Sequence, residues 1–313
     1  MTQKRRRFGP VDILLILMMD VPMVAAMVLK MLFTPASDGI QISGALVYFT
    51  VHMPIMDWPI SEAQVNSWMV IISILGLCLF LTRGLSVRSK SKRQLIAEWI
   101  VEKVEGMVKG NMGEYFKNFA PFVCAILALS AFSSLQSLLG LYAPTSDLNV
   151  TAGWAILVFA LITYYKFKCG PLHYLKDMCE PTPVLFPINV ISELATPISM
   201  AFRHYGNVLS GMVVSILVSS GLTGFSQRIL GALPGFLATI PAFKVGIPAI
   251  LSIYFDIFSG CLQAYIFAML TMMYVSNGFA LEDFLARKLK KKQKKEKKQH
   301  KSEPADTTVP SDA

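Results

Sequence analysis

Long apolar runs, separated by short polar or basic segments, dominate the chain. Several approach the roughly 20 residues that an α-helix needs to cross a bilayer. The runs are continuous, so they predict helices and not the alternating strands of a membrane barrel. The pattern predicts an all-α integral membrane protein with about six spanning helices. The runs are residues 11–33, 65–82, 119–141, 150–165, 184–222 and 245–275.

The last two runs are longer than one perpendicular crossing requires. Excess apolar length is accommodated by tilt, by a kink or by a section along the interface. Pro197 lies inside the first of these two runs and predicts a kink there. We therefore expect the last two spanning helices to be long and tilted.

One segment, residues 92–110, has helical periodicity without the length of apolar sequence that a span needs. Charged residues fill one face, and this pattern predicts an amphipathic helix on the cytoplasmic membrane surface. A soluble helix docked on a partner is the alternative. The apolar positions at helical spacing are Ile96, Trp99, Ile100, Val104 and Met107.

The net charge of +9 is concentrated near the C-terminus. Residues 287–301 carry ten Lys or Arg and one acid, Glu296, while the rest of the chain is neutral. Such a tail is typical of a solvated segment that can touch anionic membrane lipids, and we do not expect nucleic-acid binding. The remaining basic residues lie in alternate loops, which predicts that both termini are cytoplasmic.

Three parts of the chain follow from these patterns. Residues 1–64 form an N-terminal membrane segment with an external loop, residues 65–278 a membrane domain, and residues 279–313 a basic, disordered tail. The first apolar run follows a basic cluster, as in a signal peptide. It is long and lacks a clear small-residue cleavage site, which favours an uncleaved membrane helix.

A permanent cation, Arg203, lies well inside the run at residues 184–222. An arginine near the bilayer centre costs about 3 kcal/mol on insertion scales, and Arg203 is too far from the end of the run to reach water. A seam between helices would need serine and glycine but not arginine, although Gly206 and Gly211 are expected to allow close helix approach. Polar residues at steps of three and four share the face of Arg203 and form what we call the arginine stripe: Ser192, Thr196, Ser199, Arg203, Asn207 and Ser210.

The final run carries a second polar stripe. An intramembrane acid opposite an intramembrane arginine is by default a functional hypothesis. A static salt bridge is the alternative, since the Coulomb energy is about 4 kcal/mol at 4 Å and an effective dielectric near 20. The members of the second stripe are Ser252, Asp256, Ser259 or Gly260, Gln263 and Phe267.

Several stretches resemble, in chain order, subunit a of the F-type ATP synthase. "SELATPISMAFRHYGNVLSG" (residues 192–211) and "LQAYIFAMLTMMYV" (262–275) are similar to its two signature helices. "VNSWMVIISILGLCLFLTRGL" resembles its first span, and "PTSDLNVT" the loop between its middle helices. "GPLHYLKDMCEPTPVLFPINVI" resembles its approach to the arginine helix. The resemblance covers roughly residues 65–276.

The resemblance implies a stator beside a rotating ring of small subunits, each with a carboxylate at mid-membrane. Two offset half-channels would carry protons or sodium ions to and from that carboxylate. Implied partners are the c-ring, the peripheral-stalk b subunits and the F1 ATPase head, in the cell inner (plasma) membrane. Arg203 would separate the half-channels, with Asn207 and Gln263 as polar partners, Asp256 as a titratable group and Asp147 near the external mouth. Ser199 and Ser210 belong to the same predicted ion-translocation site because they share the face of Arg203.

This sequence departs from the family pattern near Arg203. Met212 occupies a position that often holds a carboxylate or histidine, which shifts the external proton relay onto Asp256. His204 and Tyr205 replace a more usual Leu-Phe pair. Because His204 points about 100° away from Arg203, we interpret it as a packing residue.

No cofactor or catalytic role is expected for the chain alone. It lacks a G-x-x-x-x-G-K phosphate loop, so ATP chemistry must occur on partners. Cys169, His173 and Cys179 offer only three ligands at unconventional spacing, which argues against a metal site. A secondary transporter with a buried Arg–Asp clamp is an alternative, as is a non-transporting scaffold, although no internal repeat supports the transporter.

Overall fold

The computed structural model describes residues 9–34, 44–54, 56–87, 91–170, 174, 178–179, 182–230, 250–251, 253–279, 281, 284–287, 289 and 293. Long helices form most of this part of the chain. The main elements in order are α1 (Pro10–Phe33), β1 (Val47–Val51), β2 (Trp58–Ser61), α2 (Glu62–Thr82), α3 (Lys92–Met112), α4 (Ala120–Leu135), α5 (Leu148–Cys169), α6 (Phe186–Leu230), a π-helical turn (Ile253–Ser259) and α7 (Gly260–Asn277).

The predicted all-α membrane architecture with six spans is confirmed. Among the described residues, six helical segments are long and apolar enough to cross a membrane. Helix α6 continues through Pro197, so this residue does not end the helix, and the kink there stays a prediction. The tilt of the last two spans stays a prediction. The six segments are Pro10–Phe33, Glu62–Thr82, Glu114–Leu139, Leu148–Cys169, Pro183–Ser226 and Ile253–Asn277.

Polar caps set the starts of several helices. The side chain of Ser61 accepts a hydrogen bond from the Gln64 amide at the start of α2, and Ser91 accepts one from Gln94 at the start of α3. Each cap satisfies one of the amides that lack a partner in the first helical turn. After α3, Gly113 adopts a positive φ of 83° that turns the chain into the next helix.

Helix α1 packs closely along α2. At mid-length, the Ser73 hydroxyl donates to the Met19 carbonyl at 2.8 Å. A Cβ at Gly76 would lie 3.2 Å from the Met19 backbone nitrogen, which is tighter than ordinary van der Waals contact, so a side chain there would push the two helices apart. Pro22, buried in α1, removes one helical hydrogen bond near the same level.

Ion pairs fix α1 at both ends. At its first turn, Asp12 accepts a hydrogen bond from Arg93 at 2.7 Å and pairs with Arg83 at 3.2 Å. At its last turn, Lys30 lies 3.3 Å from the buried carboxylate of Glu62. The helix is therefore fixed to the chain at both ends and at its centre.

A short antiparallel hairpin joins α1 to α2. Val51 pairs with Trp58 and Val47 with Ser61. The sequence interpretation had only an external loop here. The strands were missed because they are short, although Val, Tyr, Phe, Thr and Val in β1 are good strand formers.

The predicted amphipathic helix is present as α3, and only part of its predicted apolar face is buried within the chain. Val104 and Val108 are buried, whereas Ile96 and Trp99 are 52% and 59% exposed. The predicted apolar face is therefore divided, because the chain packs against the side that carries Val104 and Val108. The place of α3 on the membrane surface stays a prediction.

The chain forms two compact units. One comprises residues 1–159 and 193–273 and contains every predicted site residue. The other comprises residues 160–192 and 274–313. Within the second unit, the rings of Tyr165 and Phe279 meet edge to face at 5.9 Å, and Arg287 donates to the Cys169 carbonyl. The three-part division predicted from the sequence stays a prediction.

We expect Gly76→Val to weaken the packing of α1 on α2. The added side chain would collide with the backbone of α1, and overpacking of this kind costs about 1–3 kcal/mol. The thermal midpoint of the purified, assembled protein should fall. Gly153→Val in α5 is the control, because a Cβ there meets no atom within 4 Å. Equal midpoints for both variants would contradict the close packing.

Candidate functional site

Helix α6 carries the arginine stripe, most of which is exposed in the described part of the chain. Only 6% of its most apolar stretch is buried within the chain, against 17–33% for the other five spans. Ser199, Arg203 and Ser210 are exposed and Asn207 is half-buried. Within the described part of the chain, Arg203 makes no hydrogen bond or ion pair. The stripe therefore presents an unpaired guanidinium on an open helix face.

A second face of α6, about 100° round the helix from Arg203, is anchored by His204, which is fully buried. Its Nε2 lies 3.2 Å from the hydroxyl of Ser130 on α4. Its ring meets Trp154 of α5 at 5.9 Å and Phe267 of α7 at 5.5 Å, both edge to face. His204 packs as predicted. Because adjacent residues point about 100° apart on a helix, this anchor directs Arg203 outward.

The π-helical turn is bonded to α6 through Asn207. The Ser259 hydroxyl donates to Asn207 Oδ1 at 2.9 Å, and Asn207 Nδ2 donates to the Ser259 carbonyl at 3.5 Å. Gly211 also lies close, since a Cβ there would be 3.1 Å from Phe255. The expected close approach at Gly211 is confirmed. At Gly206 a Cβ would meet no described atom within 4 Å, so close helix approach there stays a prediction.

Asp256 lies in the π-helical turn and is half-buried. Among the described residues it has no hydrogen-bond or ion-pair partner, so it does not form a static salt bridge with Arg203. A π turn inserts an extra residue into the helical repeat and is frequent at functional sites. The chain thus keeps an acid and a cation in its apolar spans without pairing them.

Gln263 and Phe267 continue the second stripe into α7, where both are buried. The π turn shifts the helical register, so the seven-residue step from Asp256 to Gln263 leads from a half-buried position to the interior. Gly260 packs against Ser134 so closely that a Cβ at this position would lie only 2.7 Å from the Ser134 side chain. Ser252 lies outside the described residues.

Asp147 caps the first turn of α5. Its Oδ1 accepts a hydrogen bond from the Asn149 amide at 2.9 Å. Beside it, Tyr142 donates to the Ser146 carbonyl at 3.1 Å. Burial, with the nearby Asp147 carboxylate, raises the pKa of Tyr142 to about 12, so the phenol stays neutral at ordinary pH. In the structure, Asp147 therefore acts as the N-terminal cap of α5.

Sequence reasoning missed the partners that hold the site together. Ser130, Ser134 and Trp154 contact His204 or Gly260 but lie outside both stripes. A signal was present, because serines at steps of four in an apolar helix are typical of a close helix interface. His173, one of the three residues weighed as a metal ligand, lies outside the described residues.

Comparison with known proteins identifies the family of this chain. The family described as ATP synthase A chain matches residues 64–276. The chain belongs to this family. ATP synthase subunit a of Bacillus pumilus is 33% identical over 220 residues, which cover 66% of this chain and 86% of the relative. Subunit a of Legionella pneumophila strain Philadelphia 1 is 30% identical over 70% of this chain and 87% of the relative. Subunit a 1 of Crocosphaera subtropica is 31% identical over 70% and 86%.

Membership of the ATP synthase A chain family confirms the function predicted from the sequence. The chain is a multi-pass membrane stator subunit of the Fo sector that provides the path for ions. It is not itself catalytic, and it associates with other subunits of the ATP synthase. The secondary-transporter alternative receives no support from these relatives.

We expect Asn207 and Ser259 to act as a pair. Asn207→Ala removes both hydrogen bonds, and Ser259→Ala removes only the one that the hydroxyl donates. Each should lower ATP-driven ion pumping, and the double variant should be no worse than Asn207→Ala alone. Pumping in membrane vesicles is the measurement. Thr223→Val is the control, since among the described residues the Thr223 hydroxyl donates to the Ser219 carbonyl of its own helix. Additive losses would contradict the pairing.

Proposed function

We propose that Arg203 is the residue that faces the ring carboxylate and separates the two half-channels. The observation that carries this proposal is its exposed, unpaired guanidinium within an apolar spanning helix. A charge at this depth costs about 3 kcal/mol on insertion scales unless a partner meets it. A carboxylate on a neighbouring ring subunit is the partner that fits both the charge and the open face.

The chemistry of arginine suits a barrier between two channels. A guanidinium does not lose its proton in proteins, so it cannot itself pass a proton onward. Its charge repels cations and favours a deprotonated ring carboxylate. The membrane potential supplies about 2.3 kcal/mol per charge per 100 mV, and this energy drives rotation only if the ion has no direct path.

The other members of the predicted site have roles that follow from their positions. Ser199 and Ser210 are exposed beside Arg203 and line the same face toward the ring. Asn207 holds the π turn next to this face. Asp256 relays ions in the external half-channel, and the buried Gln263 lines it on the interior side. Asp147 lies near the external mouth.

The proposed assembly and orientation rest on the family and on the basic residues. The partners are the c-ring, the peripheral-stalk b subunits, the F1 head and membrane lipids. The membrane is the cell inner (plasma) membrane. Both termini are cytoplasmic, because loops rich in lysine and arginine stay inside and the segment between Lys30 and Arg83 has neither.

Substituting Arg203 should abolish coupling without preventing assembly. In Arg203→Ala, ATP synthesis and coupled pumping should fall at least about tenfold, which corresponds to an activation free energy raised by about 1.4 kcal/mol or more. A passive ion leak should also appear, because nothing then separates the two half-channels. Arg203→Lys should also fail, since lysine lacks the planar fork and can lose its proton when desolvated. Ion flux in vesicles is the measurement, and a native gel checks that each variant still assembles into the complex.

Arg228→Ala is the matched control, because Arg228 is an exposed arginine near the end of the same helix. It should couple normally. Normal coupling in Arg203→Ala would show that Arg203 is not the barrier. Normal coupling in Arg203→Lys would show that the geometry of the guanidinium is irrelevant.

Asp256→Asn should slow ion flow severalfold while the complex stays assembled. Asparagine keeps the shape of the side chain but cannot take up and release a proton. Asp256→Glu is the control, because it keeps a carboxyl group and should retain much of the flow. ATP-driven pumping in vesicles measures both. Near-normal pumping in Asp256→Asn would mean that another group or water alone feeds this half-channel.

A further inference from the structure

Helix α1 precedes the residues that match the ATP synthase A chain family, which begin at position 64. It carries an acid, Asp20, close to its middle. Asp20 is exposed, and within the described part of the chain it has no hydrogen-bond or ion-pair partner. The function of the family does not account for this residue.

The paired charges at the two ends of α1 place Asp20 near the middle of this span. Asp12 is paired at the first turn and Lys30 at the last. At 1.5 Å per residue, these charges are about 12 Å and about 15 Å from Asp20 along the helix. A short aspartate side chain cannot reach water over such distances. Its neighbour Met19 contacts Ser73, which is also central in α2.

Asp20 does not belong to the face of α1 that docks on α2. It lies about 120° round the helix from the face formed by Met19, Pro22 and Ala26. Around it runs an exposed seam in which residues recur at steps of four and three, the spacing of a helix that packs against another helix. This α1 seam consists of Ile13, Leu17, Asp20, Val24, Met27 and Met31.

We propose that the α1 seam docks a membrane helix of another protein subunit, and that this helix presents a basic side chain to Asp20. Lipid chains satisfy the apolar members of the seam but cannot satisfy an acid at this depth. A second copy of this chain would bring two aspartates together, which disfavours the charged form of both. A basic side chain satisfies the charge, and the heptad spacing fixes the register of the pair.

Photo-crosslinking in native membranes tests the proposal. A photoreactive phenylalanine analogue replaces Leu17 or Val24 in the full chain, and the crosslinked peptide is identified by mass spectrometry. Leu14 is the matched control, because it is 63% exposed but lies about 100° from the seam. The expected result is one protein adduct from the seam positions, in a membrane helix with Lys, Arg or His at mid-depth, and at least tenfold less from Leu14.

The effect of the acid is measured in the same crosslinking assay. Asp20→Leu should reduce the adduct at Leu17 at least tenfold while the amount of chain in the membrane is unchanged, since leucine suits the span. Five results would overturn the proposal. They are adducts with lipid only, an adduct with a second copy, a partner helix without a basic residue, equal yield from Leu14, or an unchanged yield in Asp20→Leu.

Discussion

The cost of placing a charge in the membrane governs the arrangement of this chain. Charges near the ends of α1 are paired within the chain, as Asp12 with Arg93 and Lys30 with Glu62. Arg203 and Asp256 lie in spanning segments and remain unpaired among the described residues. Since an unpaired charge at this depth is unfavourable, the chain has its lowest energy only when an outside group or water meets these side chains. In the proposed function, a carboxylate of the ring is the outside group that meets Arg203.

Rigid anchoring lets the chain hold an unpaired charge on an open face. His204 fixes the back of α6 against three other helices, and Asn207 fixes the π turn that carries Asp256. Because neither contact involves the side chain of Arg203, its guanidinium stays accessible. In the proposed function, a ring carboxylate then approaches and leaves without disturbing the fold. A permanent partner such as Asp256 would have closed this face.

The spans were predictable from the sequence because about 20 continuous apolar residues have few alternatives to a membrane helix. The arginine stripe was equally clear, because it depends only on helical periodicity within α6. The hairpin, the buried face of α3 and the π turn at Asp256 were not predictable. Each depends on contacts between distant segments or on a register shift of one residue. Thus the sequence placed Asp256 and Gln263 on one face, whereas the structure buries only Gln263 fully.

The most direct test of the central claim is cysteine cross-linking between the arginine stripe and the ring, with native cysteines replaced. Ser199→Cys and Ser210→Cys are each paired with a cysteine beside the ring carboxylate. Ile198→Cys is the control, because it is 56% exposed on α6 but off the stripe. The account predicts disulfides from both stripe positions and none from Ile198. Disulfides only from Ile198, or from neither face, would show that Arg203 does not face the ring.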